Sequence, residues 1–168
     1  MAGSVLGEKV LRKEDPKFLT TGGVYLDDLH DPRLDGAAWV VYARSPIAHG
    51  AITSIDTDTA RQMPGVVGVY TAADLGLEPG PSAFNPAVAR TALASERVRW
   101  VGEPVVAVVA DTYSQAVDAA EAVWVDIEPL PALISVEQAM ADTDTLLYPA
   151  AGSNVIFDSN FLGGTDNT

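Results

Sequence analysis

An unbroken apolar run, Val105–Ala110, constrains this chain more than any other feature, and it follows a Gly-Glu-Pro corner at residues 102–104. Four of the six residues are valine, and none of the six offers a polar side chain to water. A strand with one face in water alternates apolar and polar residues, whereas a strand buried on both faces is continuously apolar. The run therefore predicts a fully buried strand.

A helix and a second strand are predicted directly after this run. Thr112 and Gln115 have capping-box spacing, which indicates a helix start. Small residues on one face of that helix allow it to pack closely on a sheet. Those residues are Ala116, Ala119, Ala120 and Val123. The next strand, Val123–Ile127, ends at the Glu-Pro-Leu-Pro sequence that follows it, so one strand–helix–strand unit is predicted.

The rest of the chain predicts short elements and an α+β fold with a mixed sheet and a few short helices. A doubly wound nucleotide fold needs several strand–helix–strand units and a glycine-rich turn after the first strand, whereas Gly102 precedes a strand. Residue patterning predicts strands at 24–26, 39–42, 49–56 and 66–71, helices at 57–63 and 135–140, and one helical turn at 72–75.

Composition shifts divide the chain into three parts. Residues 1–23 are polar and turn-rich and are predicted as an extended arm, 24–140 as the folded domain, and 141–168 as a tail. Within the domain, Gly76–Ala94 has several prolines and no periodicity, which predicts a long loop. A loop of this length in a compact domain is usually functional or mobile.

Charge and composition exclude several classes of function. The 23 acidic and 10 basic residues give a formal net charge of -13, which disfavours binding to nucleic acid or an anionic membrane. The sequence contains no cysteine, which excludes disulfides, thiolate-held iron–sulfur clusters and thiol nucleophiles. Its apolar runs are too short to span a bilayer, and a cytoplasmic location is expected.

The most suggestive candidate for chemistry is the cluster Arg44, Ser45 and His49. A nucleophilic Ser–His pair also needs a carboxylate and an oxyanion hole, and neither follows from local spacing. The alternative interpretation is that Pro46 and Gly50 shape a connection while His49 bonds to the backbone. We favour that structural interpretation.

Acidic and glycine-rich clusters have equally ordinary interpretations. The Asp27-Asp28 and Asp56/Asp58 pairs are explained by turns or helix caps. Glu121 and Asp126 are expected at solvated positions. Glu103 could make a polar contact across an interface. The Gly163-Gly164-Thr165 sequence has no predicted helix after it to bind phosphate. His30 and His49 are far apart, and neither has neighbours at a spacing typical of metal ligands. We therefore expect no catalytic, cofactor-binding or metal-binding residue in this chain.

Six blocks occur in uninterrupted order between roughly residues 10 and 160. They are residues 14–28 (EDPKFLT and GVYLDD), 44–52 (RSPxAHxxI), 55–69 (ID, A and MPGVxxV), 71–75 (TAADL), 98–110 (VRWVGEPV and AVVA) and 116–131 (AxxAA and VDIEPLP). Together they resemble the large, molybdenum-binding subunit of the xanthine oxidase family, which includes aldehyde oxidases and aerobic carbon monoxide dehydrogenases.

The resemblance implies an α/β-hammerhead domain, the N-terminal portion of that subunit. In the family the molybdopterin-binding residues and the catalytic glutamate lie further along the polypeptide, so none is carried over to this sequence. Val155-Ile156-Phe157 resembles the strand that leads into those domains. Partner subunits or fused domains supply 2Fe-2S clusters and FAD. Many family members have glutamine where Glu103 stands here.

The resemblance predicts a structural and assembly function in a molybdenum hydroxylase that oxidises an aldehyde, a heteroaromatic compound or carbon monoxide with oxygen from water. The expected partners are the remaining molybdenum-binding domains and the FAD and 2Fe-2S subunits, with self-association expected for the isolated domain. One alternative is a free-standing scaffold or small-molecule-binding domain that kept the fold without the enzyme. A hydrolase that uses Ser45 and His49 is a third hypothesis.

Overall fold

The computed structural model describes residues 12–23, 25, 28–29, 31–82 and 85–157. The chain divides into two units, Met1–Gly36 and Ala37–Thr168. In the described part of the first unit, α1 spans Asp15–Thr20 and a short 3-10 helix spans Pro32–Leu34. The arm predicted for residues 1–23 is therefore not extended throughout, because a proline in the first turn and Asp15 favour a helix start there. The strand predicted at 24–26 lies largely outside the described residues.

The second unit contains eight described strands, three of which are only two residues long. Their bounds are β1 Trp39–Arg44, β2 Gly50–Asp56, β3 Val66–Tyr70, β4 Gly80–Pro81, β5 Ala89–Arg90, β6 Arg97–Val98, β7 Pro104–Ala110 and β8 Trp124–Pro129. They form three sheets, ordered β1-β7-β3, β6-β2-β8 and β4-β5. Every described pairing is antiparallel.

The apolar run forms the central strand of the first sheet. Strand β7 pairs with β1, where Val41 is opposite Val108, and with β3, where Val69 is opposite Val108 as well. A central position satisfies the backbone hydrogen bonds of β7 on both edges. The predicted strand is confirmed and begins one residue earlier, at Pro104, but it is not buried throughout, because Ala107 and Val109 are only half-buried.

Short helices join and cover the sheets. Helix α2 spans Asp58–Arg61, α3 spans Tyr113–Glu121, α4 spans Val136–Ala141, and a 3-10 helix spans Pro149–Ala151. Thr112 and Ser135 cap α3 and α4 by accepting hydrogen bonds from the amides three residues on, as the spacing predicts. Helix α3 packs on β1 and β7, so it connects the first sheet to β8 in the second.

The core contains residues from the β1-β7-β3 and β6-β2-β8 sheets and from helices α2 and α3. Its buried members are all alanine or valine: Ala60, Val69, Ala94, Val98, Val105, Val106, Val108 and Ala119. Buried Ala119 on α3 gives the close helix-to-sheet contact that the sequence predicts. The α+β class with few short helices is confirmed.

Two local expectations need correction. Helix α2 is shorter than the predicted 57–63, and the side chain of Asp56 accepts the amide hydrogen of Asp58 at its start. The predicted long loop between residues 76 and 94 contains the β4–β5 pair. Such a short pairing has no periodicity that a sequence pattern could reveal.

Candidate functional site

The loop between β1 and β2 holds the suggested Ser45 and His49 pair, and both side chains are buried. Ser45 Oγ donates a hydrogen bond to the carbonyl oxygen of Ile47 (2.7 Å) and accepts one from the Ile47 amide (3.2 Å). The hydroxyl is thus used within its own turn, as serine commonly is in connections.

The imidazole of His49 also bonds to the backbone. Because a carbonyl oxygen can only accept, Nδ1 carries the hydrogen that bonds to the carbonyl of Pro131 (2.7 Å). The other ring nitrogen, Nε2, is enclosed and has no hydrogen-bond partner in the described part of the chain. No hydrogen bond joins Ser45 to His49 among the described residues, so the geometry assembles no nucleophile–base pair.

The corner at residues 99–103 is held by a buried carboxylate. Glu103 is 2% exposed, and its Oε2 accepts the amide hydrogen of Arg99 (2.5 Å). The Glu103 amide in turn donates to the carbonyl of Trp100 (3.2 Å), and Gly102 has a positive φ of 86°. Glycine suits that backbone conformation because it has no Cβ to clash. Glu103 therefore closes its own turn, and the interface contact considered from the sequence stays a prediction.

Burial raises the pKa of the Glu103 carboxyl. The Arg99 amide and the positive charges of Arg99 and Arg90 oppose that shift by favouring the ionised form. The raised pKa shows that loss of hydration outweighs these favourable contacts. A raised pKa can mark a catalytic acid, but this carboxyl is enclosed and faces its own backbone.

The other acidic candidates act as hydrogen-bond acceptors on the surface. Asp126 accepts from Ser54 Oγ (2.7 Å) and from the indole of Trp124 (2.9 Å), and these bonds lower its pKa. Asp28 accepts from the amide of Tyr25 (3.0 Å). Glu121 is exposed at the last residue of α3. Asp27, His30 and residues 163–165 lie outside the described residues.

A group of three arginines was not found by sequence reasoning. Arg90, Arg97 and Arg99 line a cavity of about 140 Å³. The Nε of Arg99 donates to the Leu147 carbonyl (3.0 Å), its guanidinium lies 4.7 Å from the Tyr148 ring centre, and Arg97 bonds to the carbonyl of Leu146 (3.5 Å). These contacts fasten the segment 146–148 to the domain. Nothing in the local sequence indicates which carbonyls the arginines meet.

An open cavity of about 630 Å³ lies beside this cluster. Its lining is mixed and includes Leu77, Glu78, Val88, Arg90 and Tyr148. Within the described ranges, no group of three or more His, Cys, Asp or Glu side chains is placed to hold a metal ion. The same residues contain no helix that is long and apolar enough to cross a membrane.

The fold and its closed polar contacts define a small α+β domain, and comparison with known proteins identifies its type. The family model described as "Aldehyde oxidase and xanthine dehydrogenase, a/b hammerhead domain" matches residues 20–131. The chain belongs to this hammerhead family. The resemblance noted in the six sequence blocks is thus confirmed.

Individual relatives agree with the family model. The nicotine 6-hydroxylase large subunit of Paenarthrobacter nicotinovorans is 41% identical over 137 residues, which cover 78% of this chain and 16% of that protein. The carbon monoxide dehydrogenase large chain of Afipia carboxidovorans is 40% identical over 145 residues, covering 84% of this chain and 17% of that protein.

A crystal structure of the Cu,Mo-CO dehydrogenase in its carbon monoxide reduced state also matches. It has a TM-score of 0.66 and 39% identity, and the match covers 84% of this chain and 17% of that one. The chain therefore spans only about a sixth of the length of the relatives that it matches, and it corresponds to a domain of molybdenum hydroxylase large subunits.

Proposed function

We propose that this chain is a non-catalytic assembly domain of a molybdenum hydroxylase large subunit. The observation that carries the proposal is the combination of family membership with polar groups that are used internally. Ser45, His49 and Glu103 are buried, and each makes a hydrogen bond to the backbone of its own chain. None of these groups is open to a substrate.

We assign no cofactor-binding residue to this chain, and its described residues include no group of three or more His, Cys, Asp or Glu side chains placed to hold a metal ion. We therefore derive no chemical step through the cofactor from this chain. In the complete enzyme, a molybdopterin-type cofactor would supply the oxidation of an aldehyde, a heteroaromatic compound or carbon monoxide, and 2Fe-2S clusters and FAD would carry the electrons onward. This chain would position the polypeptide that holds those groups.

The proposed organisation follows the same division of work. Residues 24–140 would form the hammerhead body, 1–23 an arm, and 141–168 a tail directed toward molybdopterin-binding domains. The arginine contacts to the segment 146–148 support a fixed path for the start of that tail. The partners would be the remaining molybdenum-binding domains and the FAD and 2Fe-2S subunits, and the proposed location is cytoplasmic.

Sequencing and co-purification test the proposal together. The reading frame beyond Thr168 and the neighbouring genes should encode glycine-rich molybdopterin-binding sequence. A tagged chain isolated from its own cells should bring that polypeptide with it, together with molybdenum, iron and flavin absorbance. A stable monomer that brings none of these would instead support the free-standing scaffold. Hydrolase activity that His49→Ala abolishes would contradict the absence of catalytic residues.

A further inference from the structure

The first sheet has a second face, which is apolar and lies opposite the core. In the antiparallel register, residues that pair directly share a face, and alternate residues point to opposite faces. Val40 pairs with Val109, and Tyr42 pairs with Ala107. On the other side of the central strand, Tyr70 pairs with Ala107 too. We call these five residues, with Gly68, the outer face.

No member of the outer face belongs to the buried core or to the partly buried residues packed against it. Val40 is 49% exposed and Tyr42 is 40% exposed. The core side of the same sheet is covered by α3, and buried Val106 and Val108 point to it. Val105, which is buried in the core, lies where the β1–β7 register shifts, so the outer face ends before it.

The outer face also has the composition of a protein interface. A Cβ on Gly68 would meet the ring of Tyr70, so this tyrosine lies flat across the sheet. The guanidinium of Arg44 lies 5.2 Å from the ring centre of Tyr42 and forms a charged edge. Aromatic residues and arginine are enriched in interfaces, while isolated charges are rare at their centres.

The sequence of β7 supports the same conclusion. An antiparallel strand with one face in water normally alternates apolar and polar residues, but β7 places Ala107 and Val109 on the outer face. The strand thus has a pattern that suits burial on both sides, whereas in the described part of this chain Ala107 and Val109 are only half-buried. An apolar patch of this kind marks an interaction site.

We infer that the outer face is the surface on which the rest of the large subunit docks. The inference rests on the proposed function and names the contact through which assembly occurs. The occupant follows from length, because the chain spans 16–17% of the relatives that it matches, and the remaining polypeptide is continuous with this domain in those proteins. The chemistry expected of that partner is an apolar surface with an acidic group opposite Arg44.

The test is an association measurement with the polypeptide that carries the rest of the large subunit. The full chain is compared with Tyr42→Asp and Val40→Asp, and with Val40→Thr, which keeps the branched shape. Ile134→Asp is the matched control, because Ile134 is an apolar residue that is 87% exposed and lies outside the outer face. Circular dichroism and thermal unfolding check that each variant is folded.

We expect each Asp variant of the outer face to weaken association at least tenfold, Val40→Thr to weaken it less, and Ile134→Asp to stay within twofold. The docking face would be overturned if the wild type associates and neither Tyr42→Asp nor Val40→Asp weakens the association, or if Ile134→Asp weakens it equally. Either result would leave the assembly function standing. Absence of wild-type association would overturn both. Concentration-dependent dimers of the chain alone, abolished by Tyr42→Asp, would assign the face to a second copy.

Discussion

The buried carboxylate of Glu103 gives the sharpest test of how the Gly-Glu-Pro corner is stabilised. Two substitutions separate its roles. Glu103→Gln removes the charge and keeps an oxygen that can accept the Arg99 amide hydrogen, while Glu103→Met has a similar length and no such acceptor. The comparison of glutamine with methionine therefore isolates the hydrogen bond. The comparison of glutamine with the wild type isolates the buried charge.

The magnitude follows from the burial of this bond. An amide that is left without an acceptor in a buried position costs about 1–3 kcal/mol. Glu103→Met should therefore unfold with a free energy lower than that of Glu103→Gln by this amount, which is a melting temperature lower by about 2–12 °C for a domain of this size. Urea titration followed by tryptophan fluorescence measures the difference, and Trp100 lies in the same corner.

The pH dependence of stability comes from the buried charge of Glu103, which destabilises the fold, and not from its hydrogen bond. Because burial raises the pKa of Glu103, the native state binds this proton more tightly than the unfolded state does. Stability from this group is therefore fully present below the unfolded pKa and is lost as the pH rises through the native pKa. Glutamine does not titrate, so Glu103→Gln should gain stability relative to the wild type across that window, and the difference should level off above it.

Equal stability of the Gln and Met variants would refute the assignment of the Arg99 hydrogen bond. If the free energy of unfolding of the wild type rises relative to that of Glu103→Gln as the pH rises, burial is not the main influence on the pKa of Glu103. The slope of free energy against urea should be unchanged in all three proteins, since none alters the surface exposed on unfolding.

Three further predictions concern other contacts of the second unit. Gly102→Ala should lower the free energy of unfolding by about 1–2 kcal/mol, because of the positive φ there, whereas Gly80→Ala should have a smaller effect in the same urea titration. His49→Ala should cost about 1–3 kcal/mol by calorimetry through its lost backbone bond, and no loss would show that this bond is not stabilising. Arg99→Leu should speed hydrogen exchange at the amide of Leu147 by about tenfold (~1.4 kcal/mol), and unchanged exchange would contradict the fastening of the segment 146–148.

Local signals in the sequence predicted much of the fold. The apolar run of β7, the capping pairs of α3 and α4 and the position of β1 depend on residues close together in the chain, and such patterns report directly on helix periods and strand burial. The structural interpretation of His49 also follows from its neighbours. Its particular partner, Pro131, lies 82 residues away and could not be read from spacing.

What the sequence did not reveal depends on pairing between distant segments. The strand–helix–strand unit reads as one motif, yet β7 and β8 belong to different sheets, since their partners are β1 and β2. The grouping of Arg90, Arg97 and Arg99 around a cavity depends on the same arrangement. The enclosed position of Glu103 is also a tertiary effect, because a glutamate beside a glycine and a proline is as typical of an exposed turn.

The sheet order has a consequence for how the chain is made. Strands β1 and β3 both pair with β7, which is synthesised after them, and β2 pairs with the later β6 and β8. At about 5–20 residues per second on the ribosome, the first half of the domain waits for seconds without its partners. Pairings between distant strands also form slowly. Nascent chains that stop before β7 would therefore carry unpaired apolar strands, which are prone to aggregate.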